Sequence, residues 1–243
     1  GVNNPRIGWI LEQFVKCGAR ENILYDAKPH VGTDVLLNVV QNLRQRIISL
    51  GGEVRFGAQV TKLRLEAGSL TGLEINGQQW LDCDRAVLAI GHSARDTFEM
   101  LHALQIPMEP KAFAMGARIE HKQAMVNTAQ YGRNDPVLPP AEYKLVQHLD
   151  EKSVYTFCMC PGGHVVAAAS EEGRIVTNGM SYADRDGENA NAAVLVTVNP
   201  SEFPYEGVLG GMYWQRQIEE TAYQLSGSYR APAQLVGDFL AGR

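Results

Sequence analysis

Three observations place this chain in the mixed α/β (α+β) class. One long amphipathic helix stands in the first half, an Asn-Gly turn joins two short alternating segments after it, and the second half is strand-rich before two closing helices. The expected architecture is a partial nucleotide-binding-type layer with a three-stranded antiparallel meander over residues 1–107. A strand-rich substrate or cap domain with C-terminal helices is expected over residues 108–243.

Residues 8–16 have the pattern of a short amphipathic helix stopped by Gly18, and residues 23–25 that of a strand. The next turn offers Thr33 or Asp34 as N-cap for the clearest helix in the chain. Leu36, Val40, Leu43, Ile47 and Leu50 recur along it at helical spacing, and Gly51-Gly52 ends it. Residues 53–56 read as a strand leading into 59–65. Turns at Ala67-Gly68-Ser69 and Asn76-Gly77 then fold the meander. The nearly continuous apolar run 86–91 is of the kind found in buried parallel strands, with a helix over 94–104 behind it.

Beyond Pro107 the pattern predicts strands at 113–120, 144–149, 154–159, 165–169, 174–178 and 194–198. Helices are predicted at 122–130, 212–225 and 232–240. Gly237-Asp238 falls inside the last of these.

The chain has 243 residues, 45% of them hydrophobic and 20% charged, which suits an ordinary globular protein with a real core. A net charge of −5 without any Lys/Arg cluster argues against nucleic-acid binding. No apolar run is long enough for a membrane span, and the first residues given do not have the charged-then-apolar pattern expected of a secretory leader. Four cysteines in a chain of this length do not make a disulfide framework, which points to a reducing, cytoplasmic setting. The chain opens at Gly1 without an initiator Met and is expected to be a piece of a longer protein.

The stretch densest in chemistry is 154–169, where Cys158-Met159-Cys160-Pro161-Gly162-Gly163-His164 sits between two apolar strands. Strand alternation puts Cys158 and Cys160 on one face. Their thiols can act in redox or substrate contact, can pack as small hydrophobes, or can join His164 as soft zinc ligands. A fourth ligand is missing, so no metal site is assigned. The alternation Asp184, Asp186, Glu188 does not match a calcium loop either.

Asp84-Arg85-Ala86-Val87-Leu88-Ala89-Ile90-Gly91-His92-Ser93 resembles the segment of two-dinucleotide-fold flavoproteins that ends in Ala-Thr-Gly beside the flavin, with Ile90 in place of the Thr. Four further motifs extend the likeness: His30-Val31-Gly32-Thr33-Asp34, Thr156 through Gly163, Asn178-Gly179-Met180-Ser181-Tyr182 and Arg230-Ala231-Pro232-Ala233-Gln234. Over essentially its whole length the chain resembles the bacterial FAD-dependent dehydrogenase/oxidoreductase family.

The resemblance implies an FAD/NAD(P)-binding-type layer and hydride or electron transfer through FAD, with NAD(P)H as a candidate electron donor and a small molecule as substrate. Yet no two glycines here are separated by one residue, so the Gly-x-Gly-x-x-Gly that brings backbone to the pyrophosphate is absent from this chain. In the family that fingerprint would precede Gly1 and the closing segment would follow Arg243. The fragment alone is therefore expected to be inert and FAD to belong to the full-length parent. Two other readings stay open: a non-enzymatic binding module of flavoprotein shape, and a flavoprotein that modifies RNA.

Site candidates follow. Cys158, Cys160 and His164 are the candidate catalytic residues. Gly91 and His92, at the end of the apolar strand, are candidate cofactor contacts, joined by Gly162 and Gly163 through close backbone approach. The resemblance adds Gln59 or Val60 as the adenine contact at the start of the meander. Arg118 with His121, and Arg185 beside Asn189 and Asn191, are candidate contacts for an anionic substrate.

Overall fold

The computed structural model describes residues 4–243. In chain order its elements begin with helix α1 (Arg6–Lys16), helix α2 (Thr33–Ser49), and strands β1 (Val60–Glu66), β2 (Ser69–Ile75) and β3 (Gln79–Asp82). Helix α3 (Arg95–Ala103), strand β4 (Phe113–Lys122), helix α4 (Gln123–Tyr131) and strands β5 (Val146–His148) and β6 (Ser153–Cys160) follow. Strands β7 (Gly163–Ala167), β8 (Thr177–Ser181) and β9 (Asn189–Val198), then helices α5 (Gly210–Ser226) and α6 (Val236–Leu240), complete the chain. The mixed class and the antiparallel meander are as expected.

The chain forms two compact units built from interleaved segments. One comprises residues 1–54, 114–168 and 177–197; the other comprises 55–113, 169–176 and 198–243.

In the first unit, α1 and α2 enclose a core of Cys17, Ala19, Ile23 and Val39, with Leu11, Phe14, Val35 and Leu43 packed against it. The buried row of α2 is thus Val35, Val39 and Leu43. Of the predicted stripe, Leu36, Val40, Ile47 and Leu50 are exposed. The helix is apolar over an arc wide enough for two adjacent i,i+4 rows, and only one of them meets this core. Residues 23–25 do not form a strand: Glu21–Leu24 is a 3-10 turn, tight enough to drive Ile23 into that core. The N-cap is Gly32 at φ +87, not Thr33 or Asp34. Those two side chains act elsewhere: the Thr33 hydroxyl donates to the Ser181 carbonyl (3.3 Å), and the Asp34 carboxylate accepts from the Ala183 N–H (2.9 Å).

The same unit holds a four-stranded sheet in the order β4-β9-β6-β5 and the two-stranded β7-β8 pair. Strand β9 is central, and Ala190, Asn191, Ala192 and Ala193 are buried in succession because both faces are covered. The pairing of β6 with β9 runs Phe157↔Ala193 and then Cys160↔Asn191, so β6 carries an extra residue there. This is a β-bulge, and Cys158 sits in it at φ +47.

In the second unit, β1, β2 and β3 form the antiparallel meander, with Ile75↔Gln79 flanking the Asn76-Gly77 turn. Asn76 and Gly77 both take positive φ, at 53° and 69°, as a tight hairpin turn requires. Phe113, Phe203 and Trp214 form an aromatic cluster, with the Phe113 and Phe203 rings stacked at 5.3 Å. Gly211 lets α5 approach it, since a Cβ there would lie 2.8–2.9 Å from the two phenylalanine rings.

Two further segments expected as strands are not strands. Residues 53–56 and 86–91 lie outside every strand of the described residues, and Val87 is 93% exposed. An apolar run such as 86–91 gains neither ladder hydrogen bonds nor burial without a neighbouring strand, so its composition alone does not make it one.

The offset on α2 is open to test. Val39→Ala, at a fully buried position, should cost about 2 kcal/mol of stability. Val40→Ala, one residue on, should stay within about 0.5 kcal/mol. Urea unfolding of the two variants measures both, and equal losses would contradict the buried row described here.

Candidate functional site

All the candidate catalytic and substrate residues lie in the first unit, where one polar cluster centres on Arg118. The side chain leaves β4 and crosses β9 to reach β6. Its Nε–H donates to Asn191 Oδ1 (2.9 Å), and Nη2 donates to the Cys158 carbonyl (2.7 Å) and lies 3.8 Å from the Cys160 Sγ. Gly179 on β8 makes room for this arrangement. A Cβ there would sit 2.2 Å from both the guanidinium and the Asn191 amide. The bulge also matters, because it offers the Cys158 carbonyl to Arg118 and to the Cys160 thiol (3.3 Å).

The simple argument that both thiols share a face does not hold, since strand alternation is broken at the bulge. Cys158 is exposed and Cys160 half-buried, and neither forms a disulfide. Burial pushes the Cys160 thiol upward, and Arg118 draws it back only in part. The thiol is thereby kept protonated near neutrality, which is the opposite of an activated thiolate.

Around this cluster the end of β4 is tied to its neighbours. The Glu120 carboxylate accepts from the Val165 N–H (2.7 Å) and from Asn189 (2.8 Å). Gln123 accepts from the Gly162 N–H (2.9 Å) and donates to the Ala141 carbonyl (2.9 Å). His121 lies 2.7 Å from the Tyr143 hydroxyl, whose pKa is raised by burial although Arg118 draws it down.

Gly162 and Gly163 are buried against chain, not open to a ligand. A Cβ on Gly162 would lie 1.8 Å from the Arg185 carbonyl, and one on Gly163 would lie 2.0 Å from that of Met180. Arg185 itself sits in a turn at φ +54, its Nε buried without an acceptor. His164 is exposed, edge-on to Tyr182 with ring centroids 6.3 Å apart. Thus Cys158, Cys160 and Arg118 come together, whereas His121, His164 and Arg185 contact other partners. Among the described residues no three His, Cys, Asp or Glu side chains converge as metal ligands would.

The second unit holds Gln59, Val60, Gly91 and His92. Gly91 adopts φ +73, and no atom lies within 4 Å of where its Cβ would be, so its backbone is open to close approach. Gln59 is engaged locally: its N–H donates to Asn76 Oδ1 (2.9 Å) and its carbonyl accepts from the Asn76 N–H (2.8 Å). Val60 pairs with Ile75 at the start of the meander.

His92 belongs to a charged network that sequence reasoning missed. Its Nε2 lies 2.6 Å from Glu219 Oε1, and Arg95 forks onto the same carboxylate at 2.9 and 3.0 Å while also meeting Glu171. The Arg95 side chain is 1% exposed. Nothing in a helical pattern marks Glu219 as a buried partner, because a Glu on an amphipathic helix reads as solvated. Burial acts to raise the Glu219 pKa, but hydrogen bonds from His92 and Arg95 outweigh it and leave the carboxyl below its ordinary value.

The fit to FAD is incomplete within this chain. The glycine fingerprint is absent from the sequence, Gln59 is bound to its own turn, and His92 is tied to Glu219. Gly91 supplies one open surface and no phosphate cradle.

The Glu219 network sets a pH dependence. A depressed carboxyl contributes stability that is fully present above its ordinary value of about 4.5 and disappears as pH falls through its lower folded value. Glu219→Gln should therefore cost about 1–3 kcal/mol near neutrality and flatten the loss of stability toward about pH 3. Urea midpoints across that range measure this, and parallel pH profiles for both proteins would refute it.

Comparison with known proteins adds the family. Residues 112–243 match the model described as FAD-dependent protein, C-terminal domain-like. An uncharacterized protein of Clostridium beijerinckii is 49% identical over 247 residues, covering 100% of this chain and 46% of that relative. The chain therefore spans less than half the length of the relative it matches. With more than half of its residues inside the family model, the chain belongs to the FAD-dependent protein, C-terminal domain-like family.

Proposed function

We propose that this chain is the substrate-facing part of an FAD-dependent oxidoreductase, in which the parent polypeptide holds FAD and carries hydride or electrons through it. The observation that carries the reading is the Arg118–Cys160 cluster: a half-buried guanidinium braced across three strands beside a thiol, in a chain of an FAD-dependent family. When bound, the flavin supplies the redox chemistry. This chain's residues position substrate at Arg118 and keep Cys160 as a neutral thiol beside it.

On this reading the unpaired run 86–91 is a strand that completes its ladder with polypeptide outside this chain, which brings Gly91 to the cofactor. The family match begins at residue 112, near the change in character after Pro107. The division into a partial cofactor domain over 1–107 and a substrate domain over 108–243 is part of the proposal. NAD(P)H as donor and a cytoplasmic setting complete it; among the described residues no helix is long and apolar enough to cross a membrane.

The test uses the parent protein purified beside this chain. The parent should show bound flavin absorbance and be reduced by NADH or NADPH, while the 243-residue chain should not quench FAD fluorescence at micromolar concentration. A colourless parent that does not take up FAD would contradict the reading and favour a non-enzymatic module. Tight FAD binding by this chain alone would contradict the division of labour.

A further inference from the structure

Arg118 differs from the other half-buried or buried arginines whose partners are resolved. Arg64 meets Asp82 and Glu66, Arg95 meets Glu171 and Glu219, Arg174 meets Glu171, and Arg216 meets Glu99. Among the described residues Arg118 meets neutral acceptors alone: an amide oxygen, a backbone carbonyl and a sulfur. Glu120, two residues along the same strand, makes no ion pair with it, because its two oxygens accept from Asn189 and Val165. A guanidinium has five N–H donors, and the contacts among the described residues engage Nε and Nη2, not Nη1.

Holding Arg118 this way is costly. Asn191 is fully buried, and its Oδ1 must face the Arg118 Nε–H. That fixes the amide with Nδ2 turned away, where it finds no acceptor. A buried donor left unpaired is destabilising. Cys158 adds the strain of φ +47 in a non-glycine residue, at the bulge that delivers its carbonyl. These costs converge on one side chain, and among the described residues no acidic side chain pairs with it.

We propose that Arg118 is the receptor for a single carboxylate group of a small organic acid, gripped by the outward end of the guanidinium beside Cys160. Carboxylate is favoured over phosphate by charge. One guanidinium balances one negative charge, and the nearest cation on the same strand, Lys122, is paired with Glu188 (2.6 Å). A dianion would keep an uncompensated charge in a half-buried site. The proposal rests on the reading of this face as substrate-binding and names the class of substrate. Binding is measured without flavin, so its failure and the failure of the flavoprotein reading are distinguishable.

The experiment is a titration of the 243-residue chain with propionate, followed on the arginine Nε–H signals in nitrogen-15 NMR spectra. Sodium chloride at equal ionic strength is the control and inorganic phosphate the competitor. The Arg118 signal, identified by its loss in Arg118→Lys, should move saturably with propionate and not with chloride. Arg118→Lys keeps the charge but loses the Nη1 donors and the brace to Asn191, and should weaken binding about tenfold, read on neighbouring backbone amides. Arg118→Gln should abolish it; if that variant does not fold, the lysine variant and the chloride control decide. Equal movement with chloride, undiminished binding by Arg118→Lys, or tighter binding of phosphate than of propionate would each overturn the proposal.

Discussion

The first unit depends on a single guanidinium that ties three strands of one sheet. Arg118 starts on β4, bonds Asn191 on β9 and caps the Cys158 carbonyl on β6, with Gly179 of the β7-β8 pair directly beneath. Several otherwise separate features follow from that tie. The β6 bulge is where a carbonyl must turn toward Arg118, and Gly179 is glycine because any Cβ would collide with the guanidinium. Asn191 occupies a fully buried position in a run of alanines because Arg118 requires an acceptor there.

The second unit has its own buried arginine, and the contrast separates support from recognition. Arg95 is enclosed by Glu219 and Glu171, with His92 completing the network, so its charge is satisfied within the protein. Such a network anchors α3 and α5 to the loop bearing Glu171, and removing a partner leaves a buried charge. Arg118 is placed as carefully but is not neutralised. A buried, compensated arginine holds a fold together, whereas a braced and uncompensated one is suited to receive an anion from outside.

Much of the architecture was legible in the sequence where a local rule decides it. Asn76-Gly77 forces a tight hairpin, and helical or alternating periodicity located most elements. What was not legible depended on tertiary context. The row of α2 that faces the core is chosen by α1, and the runs 53–56 and 86–91 are strands only if neighbours exist. The glycines of Pro161-Gly162-Gly163 suggested ligand approach, yet backbone carbonyls of Arg185 and Met180 explain them. Cys158, Cys160 and Arg118 were each visible as candidates, but the bond from Arg118 to Asn191 joins residues 73 apart and has no local signature. Sequence proximity groups Asn191 with Arg185, six residues away, whereas its partner in space is Arg118.

The central claim is that Arg118 and Asn191 act as one preorganised unit. A double-mutant cycle on unfolding free energy, with Arg118→Gln, Asn191→Ala and the pair together, measures this directly. A charge-assisted hydrogen bond of this kind predicts a coupling of about 1.5–3 kcal/mol. Additive losses, with coupling below about 0.5 kcal/mol, would contradict the account.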